Sequence, residues 1–384
     1  MKNASIWVSV FLFGSFGCNL AAAQPSNRPQ NPGDTLQTVV VGADNRVTFS
    51  FYAPKASAVT VGGDFLLGAP TPNLTKNDNG VWSYTTGPIP PDSYTYNFTV
   101  DGVSVLDQKS QNFRDTPNSL FNFFDMPGPE TDFMALKNVP HGRVEQVIYH
   151  STSLNLERRA HVYLPPNFES IKGKLPVLYL LHGYGDNDIS WTSAGKINLV
   201  LDNLYAAGKL KNMIVVMPSG HVPGLQGRGV MSVAVVGDGN PFINDFLNDL
   251  MPFVEKTYPV STKREDTAIA GFSMGGVQTM NIALGHPEKF GYVYPISTAF
   301  FPEALKDLDE KYPEVLKNAA GHPFKQLLVG RGKDDPIFTA DLTGTTLKLF
   351  DKYGIPYQYK EMNGMHSFVF SRRFLAYAFP QMFR

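Results

Sequence analysis

Cysteine is all but missing: the 384 residues hold one, Cys18, so no disulfide within the chain can brace the fold. Charge is scarce and balanced. Lys plus Arg number 33 and Asp plus Glu 34, a formal net charge of −1 with charged residues at 17%, and no basic run marks a tail for polyanions. That excludes nucleic acid as a partner recognised by charge. Long apolar runs are missing too. The longest, Ile6 to Phe16, is about half of the roughly 20 residues that a bilayer span needs, so no membrane span is expected. No internal repeat is apparent, and no group of His, Cys and carboxylate residues has the spacing of a metal site, so neither a metal nor an organic cofactor is implied. Nothing signals an oligomeric state.

What the chain has is apolar residues at 43%, aromatics at 12%, 34 glycines and 29 prolines. That is the composition of a globular protein with many turns and much β structure, and its length gives room for about two domains. Residues 1–23 read as a secretory signal peptide, with Lys2, the apolar run, then Ala21-Ala22-Ala23 ahead of Gln24 as a cleavage site. A secreted or periplasmic protein is expected. Cys18, behind Ser15-Phe16-Gly17, is similar to a bacterial lipoprotein cleavage box without its usual aliphatic residue, so an outer-membrane lipid anchor at Cys18 is the alternative.

Two periodicities follow. From about Gln37 to Asp107 apolar residues alternate with polar ones: Val47, Phe49 and Phe51; Val59 and Val61; Trp82 and Tyr84; Tyr94, Tyr96, Phe98 and Val100. Strands with one buried face have this period of two, and clusters of Gly, Pro, Asn and Asp separate the runs. Residues 24–125 are expected to form an all-β immunoglobulin-like sandwich, with no helix in the alternating stretch from about Gln37 to Asp107. The run Met126-Pro127-Gly128-Pro129-Glu130 opens an expected linker, 126–140, that would leave the rest of the chain an independent unit. Residues 141–384 carry short continuous apolar runs instead: Leu175 to Leu181, Met213 to Met217, Thr267 to Ala270, Tyr292 to Ile296 and Gln326 to Val329. Buried parallel strands read this way. Phe242, Phe246, Leu250 and Phe253 recur at helical spacing between two of them. An α/β domain is expected, with its reactive residues at the carboxyl ends of the strands.

One of these runs leads into Gly271-Phe272-Ser273-Met274-Gly275, and Gly276 to Leu284 behind it reads as a helix. A Gly-x-Ser-x-Gly between strand and helix is a nucleophile elbow, in a turn so tight that a Cβ two residues from the serine would meet backbone. The helix start behind Ser273 favours negative charge. An oxyanion hole is then needed, and the available donors are the backbone amides of Met274 and of Tyr184, which follows Leu181-His182-Gly183 at a strand end. The His182 imidazole itself reads as a packed turn residue. A base and its orienting acid should come after the serine. Of eight histidines, His286 closes the nucleophile helix and His322 precedes a strand, whereas His366 follows the alternating run Tyr357 to Met362 and so lies at a strand's carboxyl end. His366 is the expected base. The acid should follow Leu327 to Gly332, where Asp334 and Asp335 are both available; Asp341 and Glu361 fit a strand end less well.

On these residues the second region resembles the feruloyl and acetyl-xylan esterases of carbohydrate esterase family 1, over about 240 residues. The resemblance rests on Leu181-His182-Gly183 with Trp191 downstream, Phe246 to Tyr258 ahead of the elbow, Gly271 to Gly276, and Gly332-Lys333-Asp334-Asp335 followed by His366. It implies an α/β-hydrolase fold with a Ser273, His366, Asp335 triad, the family's Gly-x-x-Asp pattern selecting Asp335. Two positions depart from the family: Met365 stands before His366 where glycine is usual, and Ser371 where a tryptophan borders the acyl or sugar pocket. The first region, on Asn79-Gly80-Val81-Trp82 and Tyr94 to Gly102, resembles the immunoglobulin-like modules of carbohydrate-binding module family 48, which precede catalytic domains in glucan-branching enzymes and many bacterial esterases. Leu66-Leu67 and Val103-Ser104 replace the stacking tryptophans of glucan-binding members, so a structural or substrate-edge role is expected.

The expectation is an exported, cofactor-free serine carboxylic ester hydrolase acting on feruloylated or acetylated polysaccharide or oligosaccharide, such as xylan. Its rivals are a siderophore esterase and a non-catalytic carbohydrate-binding protein. Tyr184 and Trp191, aromatic residues beside the oxyanion strand, are expected to flank a planar feruloyl group.

Overall fold

The computed structural model describes residues 31–116, 119–223 and 240–384; the expected leader and Cys18 lie outside them. The alternating region forms nine strands: β1 (Val39–Val41), β2 (Val47–Tyr52), β3 (Val59–Gly62), β4 (Thr75–Lys76), β5 (Val81–Thr85), β6 (Asp92–Val100), β7 (Val103–Val105), β8 (Phe113–Asp115) and β9 (Leu120–Met126). They make two antiparallel sheets, β1-β2-β5-β4 and β3-β6-β9-β8, with β7 paired to β6. The period of two turns one side of each sheet inward. Phe49 sits at the centre, with the rings of Phe65, Tyr96 and Phe124 at 4.7, 5.4 and 5.5 Å, so aromatic packing supplies most of a small core. A short helix, Pro32–Thr35, precedes the strands, and a 3-10 turn, Asp64–Leu66, interrupts the expected helix-free pattern.

The rest of the chain contributes β10 (Arg143–Ser151), β11 (Leu156–Leu164), β12 (Val177–Leu181), β13 (Ile214–Pro218), β14 (Thr267–Phe272), β15 (Tyr292–Ile296), β16 (Gln326–Gly332) and β17 (Gln358–Met362). They form one sheet in the order β10-β11-β13-β12-β14-β15-β16-β17. The first two are antiparallel to each other and β11 is antiparallel to β13; every later pairing is parallel. All residues of β12 to β15 are buried, because helices cover both faces, and this is why these strands read as unbroken apolar runs. Tyr179 and Leu181 face one core, Leu178 and Leu180 the other. The expected helix around Phe246 is present as Pro241–Asp245 and Met251–Thr257 joined through a π turn, Phe246–Leu250. Asn240 caps its start by accepting the N–H groups of Phe242 and Ile243.

The segment 126–140 connects the two regions but is not a free tether. Met126 is buried in the sandwich core, Pro129–Met134 forms a 3-10 turn, and Met134 is buried in the second region's core. Asn203 Nδ2 donates to the carbonyls of Phe133 and Ala135. Apolar side chains inside a Pro- and Gly-rich stretch are the reason: they give the segment something to bury. The two regions also share charge. Asp92, fully buried at the start of β6, lies 2.9 Å from Arg372 Nη2 and 2.7 Å from Arg373 Nη2 of the last long helix, Phe368–Ala378.

Candidate active site

β14 ends at Phe272 and the helix Met274–Gly285 begins two residues on. Ser273 between them has φ 56° and ψ −116°, a conformation that costs an L residue on the order of 1–3 kcal/mol unless its surroundings impose it. They do. The Ser273 N–H donates to the Ile296 carbonyl at 2.9 Å, and its own carbonyl accepts the N–H groups of Gly276 and Val277. The flanking glycines are a steric requirement: a Cβ on Gly271 would lie 2.2 Å from the Gly275 carbonyl oxygen, and one on Gly275 would lie 2.6 Å from those of Leu181 and His182. The start of the helix thus rests directly on the end of β12.

His366 follows β17 and brings Nε2 to 2.9 Å from Ser273 Oγ, while its Nδ1 is 2.8 Å from Asp335 Oδ2. Its ring lies between those of Phe272 and Phe338, at 4.6 and 5.6 Å. The Asp335 side chain is wholly buried, and its other oxygen accepts the N–H groups of Ile337 and Phe338, each at 2.9 Å. Burial pushes this carboxyl up, but the hydrogen bond and charge of His366 with the two backbone N–H groups outweigh it and hold it below the usual carboxylate range. The alternatives lie elsewhere. Asp334 and Asp341 are exposed, Glu361 pairs with Arg331 at 2.5 Å, His286 is near Glu288, and His322 bonds the Asn318 carbonyl.

The two expected oxyanion donors sit on the helix that follows Ser273 and on the loop that follows β12. Met274 is the first residue of its helix, where an N–H has no intrahelical acceptor, and Tyr184 belongs to the loop after β12, closed by the Asp186 N–H on the Gly183 carbonyl. His182 holds this loop in place. Its Nε2 accepts the Gly220 N–H and its Nδ1 bonds the Gly183 carbonyl, each at 2.8 Å. Burial pushes its pKa down to about 4, which keeps the ring neutral at pH 7, as that bonding requires.

Trp191 is not where the sequence placed it. It is completely buried, edge-on to Phe368 at 5.1 Å, because the loop turns back on itself through Thr192 to Ile189 and Gly195 to Ser190 hydrogen bonds. An indole in that position offers no face to an acyl group. Tyr184 is the aromatic of the pair that stays exposed, at 48%. Ser371, at the family's tryptophan position, is buried and bonds the Ser367 carbonyl.

Sequence reasoning missed the residues that act at second hand. Arg331, buried inside an apolar strand, donates to the carbonyls of Phe338 and Lys333 and to Glu361, bracing the Asp335 loop; a lone arginine in that run was the available signal. Arg114 of the sandwich reaches Asp186 of the loop after β12, and no local pattern announces a contact 72 residues apart. Among the described residues no group of three or more His, Cys, Asp or Glu is placed to hold a metal. A cleft of about 380 Å³ lies at the other end of the sheet, lined by Tyr292, Gln326 and Gln358 where β15, β16 and β17 begin, and has no part in this arrangement.

Residues 151–381 match the family model described as "Putative esterase", and residues 36–114 match carbohydrate-binding module 48, the isoamylase N-terminal domain. The endo-1,4-beta-xylanase/feruloyl esterase of Xylanibacter ruminicola is 34% identical over 275 residues, 70% of this chain and 37% of that protein. The chain therefore spans little more than a third of that relative's length. A solved ferulic acid esterase is 27% identical with a TM-score of 0.54, covering 64% of this chain and 98% of that one. The enterobactin esterase of Shigella flexneri is 16% identical with a TM-score of 0.65, covering 88% of this chain and 92% of that one, a likeness of fold that reaches both regions. On the family match and the xylanase/feruloyl esterase relative, the chain belongs to this esterase family, as a carbohydrate esterase family 1-like α/β hydrolase with an N-terminal module of the carbohydrate-binding module 48 type.

Proposed function

We propose that this protein is an exported serine carboxylic ester hydrolase that removes feruloyl or acetyl groups from xylan-type polysaccharide or its oligosaccharides. The observation that carries the reading is the unbroken line from Asp335 through His366 to Ser273, with contacts of 2.8 and 2.9 Å, ending on a serine at φ 56°. In this reading Ser273 Oγ attacks the ester carbonyl carbon as its proton passes to His366 Nε2. The carbonyl electron pair moves onto oxygen, where the Tyr184 and Met274 amides receive it. Collapse expels the sugar oxygen, which takes the proton from His366. Water then attacks the acyl-enzyme by the same route, with His366 as base, and releases the free acid and Ser273. Asp335 accepts the Nδ1–H hydrogen bond throughout, stays ionised and balances the imidazolium.

The substrate side rests on kinship. The Xylanibacter relative's name joins xylanase to feruloyl esterase, and the N-terminal module suits a polysaccharide setting. Tyr184, exposed beside the oxyanion loop, is the aromatic available to lie along a feruloyl ring. Read as a signal peptide, residues 1–23 support a reaction outside the cytoplasm. A fluorophosphonate probe should label the wild type at Ser273 and leave Ser273→Ala unlabelled; an unlabelled wild type overturns the reading. Methyl ferulate should be cleaved with a higher kcat/KM than an acetyl ester, and acetylated xylan faster than a catecholate trilactone. Preference for the trilactone would make the protein a siderophore esterase instead.

A further inference from the structure

We infer that Arg114 of the N-terminal sandwich is a positioning residue for the oxyanion hole, so that the module completes the esterase site. The inference rests on the reading of Ser273 and the Tyr184 and Met274 amides given above. Arg114 Nε and Nη2 lie 3.1 and 2.5 Å from Asp186 Oδ1. Asp186 is buried, two residues after Tyr184 in the loop that follows β12. Its carboxylate is seated against that loop: a Cβ on Gly183 would lie 3.0 Å from Asp186 Oδ2 and 3.1 Å from the Phe272 ring. The Asp186 N–H closes the turn on the Gly183 carbonyl, and its own carbonyl bonds His221 Nε2 at 3.0 Å. Whatever fixes Asp186 therefore fixes Tyr184.

Charge gives the second reason. A buried carboxylate beside an oxyanion donor opposes the negative charge that develops in the transition state, and at low dielectric that opposition is strong. The Arg114 guanidinium cancels it. The same guanidinium lies 5.0 Å over the ring of Phe368, which packs on Phe272 at 6.1 Å, the ring that backs His366. One side chain thus touches the supports of both the oxyanion loop and the base. The sandwich can hold it there because its seat is ionic, the buried Asp92 pairing with the buried Arg372 and the partly exposed Arg373.

The test uses the full chain. Arg114→Met keeps the apolar stem on Phe368 and removes the charge. Its kcat on a small ester should fall about 10²-fold with KM within about threefold, and affinity for a boronic acid, which forms a tetrahedral adduct on Ser273, should fall in parallel. A folded Arg114→Met with kcat within about threefold of wild type overturns the inference, as does a loss confined to KM or an unchanged boronic acid affinity. Should Arg114→Met fail to fold, Arg114→Met with Asp186→Asn removes the unpaired charge. That double variant should fold and stay at least about tenfold below wild type in kcat; wild-type kcat there overturns the inference. In all these cases wild-type turnover and Ser273 labelling leave the esterase reading standing, whereas an inert, unlabelled wild type overturns both.

Discussion

At the scale of single residues, the proposed chemistry depends on proton positions that one side-chain substitution destroys. Ser273→Ala and His366→Ala should each lose about 10⁶ in kcat with circular dichroism unchanged, since a triad acts as a unit; a folded variant keeping a hundredth of the wild-type rate would remove its residue from the role. Asp335→Asn should lose on the order of 10³ to 10⁴ through a wrong imidazole tautomer, and Asp334→Asn should stay within about tenfold, the reverse ranking moving the acid to Asp334. This pair also shows where sequence reading stops. Two adjacent aspartates after a strand are equivalent by spacing, and family pattern alone separated them; physically they differ because Asp335 turns inward onto His366 and two backbone N–H groups while Asp334 stays in solvent. Trp191 was misplaced for the matching reason, since aromatic character marks a core residue and a stacking platform alike. A third carboxylate gives a pH prediction. Asp188 is buried between Arg159, at 2.7 Å to each oxygen, and His161 at 2.7 Å. Burial pushes it up, but these partners outweigh burial and hold it at about 2. A folded pKa below the unfolded value of 3.8 stabilises the protein fully above about pH 4 and ceases to do so as pH falls through 2. Asp188→Asn should therefore cost about 2 kcal/mol at pH 6 and little at pH 2 in urea unfolding. Equal losses at both pH values would show that the charge is not what stabilises.

At the scale of elements, the buried strands and the elbow were legible and their arrangement was not. Burial on both faces leaves a mark in the sequence, an apolar run bounded by small or polar residues, and β14 with its serine turn shows it from Thr267 to Gly275. The order of strands leaves none. That β11 runs antiparallel to both its neighbours, β10 and β13, and that the helix around Phe246 opens into a π turn before Pro252, depend on neighbours distant in the chain. The elbow can be tested where its steric demand is greatest. In Gly275→Ala the added Cβ meets two carbonyl oxygens of the β12 end at 2.6 Å, and backbone cannot swing aside as a side chain can. The helix start must lift from the strand, separating the Met274 amide from that of Tyr184. A kcat loss of at least about 10² is expected, with about 1–3 kcal/mol of stability; wild-type kinetics in Gly275→Ala would mean that the close approach of helix and strand is not needed for activity.

At the scale of the whole molecule, the sequence suggested two units on a string and the structure joins them. A Pro- and Gly-rich stretch looks the same whether it swings or docks, and the difference lies in Met134 burying itself and in Asn203 taking the carbonyls of Phe133 and Ala135. The junction is also ionic. Arg372 is buried, donates from Nη1 to the Ala194 carbonyl at 2.5 Å, and bonds the Ser93 carbonyl as well as Asp92. A fragment beginning at Asn138 keeps every residue of the proposed triad, yet it loses Asp92, Ser93, Phe133 and Met134 together. In the full chain an arginine left buried without its carboxylate would cost about 3–5 kcal/mol; in the fragment Arg372 is uncovered instead, and the second region's core loses Met134 and the cover of the sandwich, against the roughly 5–15 kcal/mol by which a domain is stable. Such a fragment should therefore unfold at much lower denaturant than the full chain, or fail to fold, and the small-ester activity that an independent unit would retain should be lost with it. Asp92→Ala in the full chain isolates the ionic part, and should lower stability by about the same 3–5 kcal/mol while the intact protein unfolds in one transition seen equally by probes in both regions. Two separate transitions, with a fragment from Asn138 as stable and as fast as the whole, would mean that the sandwich rides on the esterase without supporting it.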